Sequence, residues 1–139
     1  MTRYLLDTNA ISDVLKNPRS AAADQIRSRS VSDQVCTSII VASELHYGVA
    51  KKSSVVLAAR VEELLAVIEI MPFTADAYRH YGNLRVELER KGTPIGANDM
   101  LIAAHALATN SVLVTGNQRE FARIRGLKLE NWSAPRRRT

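Results

Sequence analysis

Short runs of consecutive apolar side chains alternate along this chain with longer stretches in which apolar residues recur every three or four positions. Tyr4-Leu5-Leu6, Val35-Cys36-Thr37-Ser38, Val67 to Met71, Ser111 to Thr115 around Val112-Leu113-Val114, and Leu127 to Glu130 read as strands. The first and fourth lack polar alternation, as expected of strands covered on both faces. Between them the 3.6 period predicts helices over Ala10 to Lys16, about Arg19 to Arg29, Ile39 to Val49, Val55 to Val67, Thr74 to Arg90, Ala97 to Ala106 and Gln118 to Phe121. In the Val55 helix, Val56, Ala59, Leu64 and Val67 are expected to face inward. Thr74 is expected to cap the long helix after it. Gly48 is expected to end the Ile39 helix or admit a close neighbour, with Lys51 to Ser54 as a loop. Strands alternating with helices, without repeats or linkers, predict one α/β domain with a mostly parallel sheet between helical layers.

Three acids occupy unusual places in that pattern. Asp7 ends the first strand, where ligands gather in open parallel sheets, although an aspartate there also caps helices. Glu44 falls within the stripe of its helix marked by Ile40, Val41 and Leu45. A carboxylate there calls for a cation, a buried arginine or an escape to solvent at the stripe's edge. Asp99 lies in the first turn of a helix that is apolar on nearly every side, where the helix dipole favours an anion or a capping group. His105, two turns on, reads as a structural histidine. If the first strand neighbours Val112-Leu113-Val114, then Asp7, Asp99 and the polar Thr115-Gly116-Asn117 end line one pocket. Crowded carboxylates repel and take up protons unless a hard divalent ion compensates them. Such an ion suits phosphodiester cleavage.

The formal charge of +5 and a pI near 9.7 favour a polyanionic partner. The basic residues cluster at Arg85 to Lys91, Arg119 to Lys128 and Arg136 to Arg138. Aromatics make up only 5% of the chain, which argues against an extended base-stacking platform. The single cysteine, Cys36, lies in an apolar run and is expected to be a buried, inert thiol. No apolar stretch approaches the ~20 residues of a membrane span, and the N-terminal residues lack a signal-peptide pattern, so the expectation is a soluble cytoplasmic protein.

Leu5-Leu6-Asp7-Thr8-Asn9, Ser43-Glu44-Leu45 through Gly48, Pro94-Ile95-Gly96 leading to Asp99 and Ala103-Ala104, and Thr115-Gly116-Asn117 with Arg119-Glu120-Phe121 occur in that order. Together they resemble the PIN-domain ribonucleases, specifically the VapC toxins of type II toxin-antitoxin pairs. The resemblance runs from about Arg3 to Trp132. It implies a PIN-like three-layer α/β/α sandwich over residues 1–132, with a basic, flexible tail over 133–139 and mobility expected from Asn131 onward. It further implies Mg²⁺- or Mn²⁺-dependent endoribonuclease activity on structured RNA such as tRNA, a homodimer, and a VapB-like antitoxin that reaches into the active site and builds a higher assembly.

Carried onto this chain, the resemblance makes Asp7, Glu44 and Asp99 the acids of the site. Asp7 and Asp99 would hold the metal, and Glu44 would be a ligand or hold and deprotonate the attacking water. Many PIN domains place a fourth acid where Asn117 stands here. Glu120 is the nearest carboxylate and resembles the acid of an Arg-Glu-Phe segment in some VapC proteins. Thr8, Asn9, Thr115 and Asn117 would position waters or phosphate oxygens, and rim lysines and arginines would follow the RNA backbone. A haloacid-dehalogenase-type phosphatase also opens on a strand ending in aspartate, but needs a second aspartate where Asn9 stands. A silent nucleic-acid-binding module keeping the fold is the other alternative.

Overall fold

The computed structural model describes residues 1–133. Its elements in chain order are β1 (Arg3–Leu6), α1 (Thr8–Lys16), α2 (Ala21–Arg29), β2 (Gln34–Ser38), α3 (Ile39–Lys52), α4 (Val55–Val67), β3 (Glu69–Met71), α5 (Ala77–Arg90), α6 (Ala97–Ala108), β4 (Val112–Val114), α7 (Gln118–Phe121) and β5 (Lys128–Glu130). The strands form one sheet in the order β3-β2-β1-β4-β5, and every neighbouring pair is parallel. Parallel pairing requires a crossover between successive strands, and crossovers are right-handed. The chain moves one way from β1 to β3 and the other way from β4 to β5, so its helices cover both faces of the sheet. This is the three-layer arrangement that the alternation of apolar runs predicts.

The reversal of strand order falls between β1 and β4, the crevice where ligands bind in open α/β sheets. Tyr4 pairs with Val112, Leu5 with Leu113 and Leu6 with Val114, and the Asp7 N–H extends the ladder to the Val114 carbonyl at 3.0 Å. Leu5, Leu6, Leu113 and Val114 are fully buried. Asp7 is therefore the first residue past the apolar part of β1, anchored by its backbone at the sheet's carboxyl edge.

Several local expectations are corrected. α3 runs through Gly48 to Lys52, because a glycine costs a helix only about 1 kcal/mol. It neither ends the helix nor marks a close approach, since a β-carbon at Gly48 would meet nothing within 4 Å. The helix ends instead at Ser53, whose φ of 51° is left-handed, and Ser54 Oγ caps α4 by accepting from the Leu57 N–H. In α4, Val61 is buried and Leu57, Leu64 and Leu65 pack beside it, whereas Val56 and Val67 are exposed. The inward stripe is 57, 61, 64 and 65, the spacing of one helical face, and Val56 and Val67 fall on the other. Thr74 does not cap α5: its carbonyl accepts from the Ala77 N–H in a preceding turn, and the capping position is Asp76, without a side-chain cap. Cys36 is buried as expected, and burial pushes its thiol up to about 12.

The stretch after β5 is held more firmly than its composition suggests. Trp132 is only 3% exposed and packs against the Tyr4 ring, with centroids 5.1 Å apart. The Arg29 guanidinium of α2 lies 5.1 Å from the Tyr4 ring and 5.9 Å from the Trp132 ring, and Arg29 Nη1 donates to the Tyr4 hydroxyl at 2.7 Å. Trp132 Nε1 donates to Glu130 Oε1 at 3.0 Å, so β1, α2 and β5 share one clasp. The mobility expected from Asn131 does not extend to Trp132, and the basic residues Arg136 to Arg138 lie outside the described residues. Trp132→Ala is expected to destabilise the fold by about 3–5 kcal/mol, the usual cost of deleting a buried indole, measured as a fall in the midpoint of urea unfolding.

Candidate active site

Asp7 caps a helix and also lies in the crevice at the carboxyl end of the sheet. Its Oδ1 accepts from the Ala10 N–H at 2.9 Å and caps α1, while the carboxylate is only 3% exposed in the β1/β4 crevice. Burial raises its pKa to about 6. The Thr115 hydroxyl and the Ala10 N–H act in the opposite direction, and the negative charges of Asp99 and Asp13 add to the rise. Thr115 follows β4 directly and is fully buried; its Oγ1 accepts from the Asn117 N–H at 2.9 Å.

The other carboxylates reach the same crevice from different elements. Ser38 caps α3 by accepting from the Ile40 N–H, which fixes the helix that carries Glu44. Glu44 is half-buried, and its Oε1 accepts from the Thr8 hydroxyl, the first residue of α1, at 2.9 Å. No arginine or lysine pairs with Glu44 among the described residues, so a structural ion pair does not account for its position. Asp99 sits in the first turn of α6 after Gly96, with no side-chain cap at that end, which removes the capping explanation. Burial raises the pKa of Asp99 first, followed by the charges of Glu120 and Glu44. Asn117 Nδ2 donates to Glu120 Oε2 at 2.9 Å, turning an amide that carries no charge into a support for the carboxylate beside it. The charge of Asp99 thus acts on Asp7, and the charges of Glu44 and Glu120 act on Asp99, although the four span most of the sequence.

The donors present are oxygens, the chemistry that hard divalent cations select. Among the described residues, no three histidine, cysteine or acidic side chains converge tightly enough to hold an ion by themselves. The hydrogen bonds from Thr115 and Ala10 offset only part of the rise at Asp7, and positive charge would relieve the rest.

Asn9 is exposed and makes no hydrogen bond to the acids, and His105 stands apart from them. The His105 ring is buried between α6 and the start of α3, with Nδ1 2.7 Å from Ser38 Oγ, and burial holds its pKa below the ordinary value. A hydrogen bond with the Pro72 backbone opposes that depression, and the Phe73 ring meets the imidazole edge-on with centroids 5.4 Å apart. Two of the basic clusters are partly neutralised locally: Arg85 pairs with Glu89, and Lys91 and Arg125 flank Glu87. The cations nearest the acids are others. Lys16, Lys52 and Arg60 line a groove of about 320 Å³ that also contains Thr8 and Glu44. None of the three makes an ion pair among the described residues. Their proximity to Glu44 was not visible in linear clustering, because they come from α1, α3 and α4. Asp13, which adds to the charge on Asp7, carried no signal of spacing at all.

A parallel sheet whose switch point gathers carboxylates beside a basic groove is the frame of an acid-centred nuclease. The chain belongs to the PIN-domain family, in its VapC branch. A PIN domain model matches residues 4–127. Ribonuclease VapC2 of Rickettsia felis is 41% identical over 130 residues, covering 93% of this chain and 97% of that protein. The tRNA(fMet)-specific endonuclease VapC of Salmonella typhimurium is 36% identical over 133 residues, 95% of this chain and 99% of that one. Among solved structures, VapBC2 from Rickettsia felis bound to a fragment of promoter DNA matches with a TM-score of 0.90 and 39% identity, over 94% of this chain and 99% of that one. Among the described residues, no helix is long and apolar enough to cross a membrane.

The state of Asp7 yields a test that needs no substrate. Because its folded pKa, about 6, lies above the ordinary 3.8, the protonated form is favoured by folding. The cation-free protein therefore loses stability as pH rises from about 4 to about 6, by roughly 3 kcal/mol in total, and stays at that deficit above pH 6. Asp7→Asn, which keeps the cap acceptor, is expected to raise the melting temperature at pH 7.5 in EDTA. Mn²⁺ is expected to raise the melting temperature of the wild type and not of the variant, both read by differential scanning fluorimetry.

Proposed function

We infer that this chain is the toxin of a VapBC-type pair, an endoribonuclease that hydrolyses a phosphodiester of structured RNA with a divalent cation, Mg²⁺ or Mn²⁺. The observation that carries the reading is that Asp7 and Asp99 both have raised pKa values, Asp7 through burial and the charge of Asp99, and Asp99 through burial and the charges of Glu120 and Glu44, while Glu44 also lines a groove with Lys16, Lys52 and Arg60. The related tRNA(fMet)-specific endonucleases make initiator tRNA the first substrate to try. VapBC complexes among the solved relatives make a VapB-like antitoxin the expected partner, with a homodimer as the toxin's own state. The cytoplasm is the compartment where such a substrate and partner are met.

Asp7 and Asp99 would hold the cation. When bound, it supplies charge neutralisation at a phosphate oxygen and a more acidic water. Glu44 presents Oε1 to the Thr8 hydroxyl, which leaves Oε2 without a hydrogen-bond partner among the described residues and able to orient the attacking water and take its proton. Asn117 steadies Glu120 at the opposite side of Asp99. Thr115 supports Asp7, and Thr8 and Asn9 stand at the start of α1, where N–H groups favour phosphate oxygens. Lys16, Lys52 and Arg60 would follow the backbone of the RNA. A phosphatase mechanism of the haloacid dehalogenase type would require an acid at Asn9, which is an exposed amide.

Purified protein freed of contaminating nuclease is expected to cut initiator tRNA with Mn²⁺ and to stop in EDTA, with recovery on adding Mn²⁺ back. Asp99→Asn is expected to lower the rate more than about a hundredfold, beyond the usual loss for a supporting partner of a metal site, with no fall in the melting temperature measured in EDTA. Thr8→Val, which frees Glu44 to rotate, is expected to lower kcat by about tenfold or more while leaving RNA affinity in filter binding as it was. Retention of RNA binding without cleavage under all of these conditions would identify a silent binding module instead.

A further inference from the structure

Beside Glu44 lies a second recess of about 470 Å³, lined by Thr8, Ile40, Ser43, Glu44, Tyr47 and Asn98. Its volume is that of a small-molecule subsite. It opens next to two site acids, because Asn98 immediately precedes Asp99 and Thr8 immediately follows Asp7. Tyr47 follows Glu44 by three residues on α3, so the two side chains share one face of the helix. The ring is 65% exposed, in a chain with few aromatics.

Tyr47 is also unlike the other tyrosines. The hydroxyls of Tyr4, Tyr78 and Tyr81 are engaged by Arg29, Arg79 and Arg85 respectively. The Tyr47 hydroxyl has no partner among the described residues, and its ring is approached only by a cation, with Lys51 Nζ 5.9 Å from the centroid. Lys51 itself is exposed and makes no ion pair among the described residues. An exposed ring one turn beyond a candidate water-orienting carboxylate, and an unpaired ammonium two turns beyond it, are not explained by burial. Together they match the two recurring features of a nucleotide in a single-stranded segment: a flat base and a phosphate.

We propose that Tyr47 and Lys51 form a nucleotide subsite of the RNA groove, in which the Tyr47 ring stacks on the base of a nucleotide next to the scissile phosphate and Lys51 meets its phosphate. The proposal rests on the endoribonuclease reading and goes beyond it by assigning substrate contacts outside the acid cluster. A stacked base must first be unpaired, so the subsite selects loops over helices. It reads no hydrogen-bond edge, so it selects exposure of a base more than its identity.

The test uses steady-state cleavage of bulk tRNA with Mn²⁺ by the full chain. Tyr47→Ala is expected to raise KM about tenfold or more with kcat held within about twofold, the pattern of lost uniform binding. Tyr47→Phe is expected to keep the wild-type KM, since the ring and not the hydroxyl makes the contact. Lys51→Ala is expected to raise KM and to flatten its dependence on salt. Melting temperature and light-scattering mass are expected to match the wild type in all three variants. A wild-type KM in Tyr47→Ala overturns the proposal, as does an equal loss in Tyr47→Phe. A change of mass in Tyr47→Ala also overturns it, and would make Tyr47 a contact between copies of this chain. A wild type inert on both bulk tRNA and ribosomal RNA removes the endoribonuclease reading and this proposal with it. An active wild type matched by Tyr47→Ala removes the proposal alone.

Discussion

The structure depends on a repulsion that its fold enforces. β1 and β4 are adjacent and parallel, so their carboxyl ends open on the same crevice, and α3, α6 and α7 bring further acids to it. Burial and the charge of Asp99 raise the pKa of Asp7, and burial and the charges of Glu120 and Glu44 raise that of Asp99. Such an arrangement is unfavourable for folding in isolation and favourable once a hard cation is offered. The surrounding polar groups keep the carboxylates in place: the Ala10 N–H and Thr115 at Asp7, Thr8 at Glu44, and Asn117 at Glu120. The apolar core under them, with Leu5, Leu6, Leu113 and Ile102 fully buried, supplies the rigidity.

The charge of the chain acts through position more than through total. Linear clusters around Arg85 and Lys91 are partly absorbed by Glu87 and Glu89 along α5. By contrast, Lys16, Lys52 and Arg60 are scattered in sequence and meet beside Glu44 only because α1, α3 and α4 pack together. Under the proposed function, a cation at the acids would lower the repulsion that a polyanion in the groove meets there.

Most of the architecture was legible in the sequence, because apolar runs without alternation have few uses outside a covered parallel sheet. Tyr4-Leu5-Leu6 and Val112-Leu113-Val114 identified the two central strands, and the acids at Asp7, Glu44 and Asp99 stood out against apolar surroundings. What was not legible depended on tertiary context. Gly48 looks like a stop, yet α3 continues because Ser53 supplies the left-handed residue that ends it. Val56 and Val67 look like core, but the neighbours of α4 are met by Leu57, Val61 and Leu64. The support of Glu120 by Asn117 needed the α7 turn, and the burial of Trp132 needed Arg29 and Tyr4, which lie over a hundred positions earlier in the chain. No local pattern encodes a partner that distant.

The clasp of Tyr4, Arg29 and Trp132 has a bearing on synthesis. β4 obtains its outer neighbour only when β5 has formed, and the Thr115 N–H is held by the Glu130 carbonyl at 3.0 Å. A polypeptide still emerging from the ribosome therefore lacks the edge that holds Thr115 until β5 has been made. A chain cut short before Glu120 lacks one of the four acids, and one cut short before Glu130 also lacks the carbonyl that holds the Thr115 N–H.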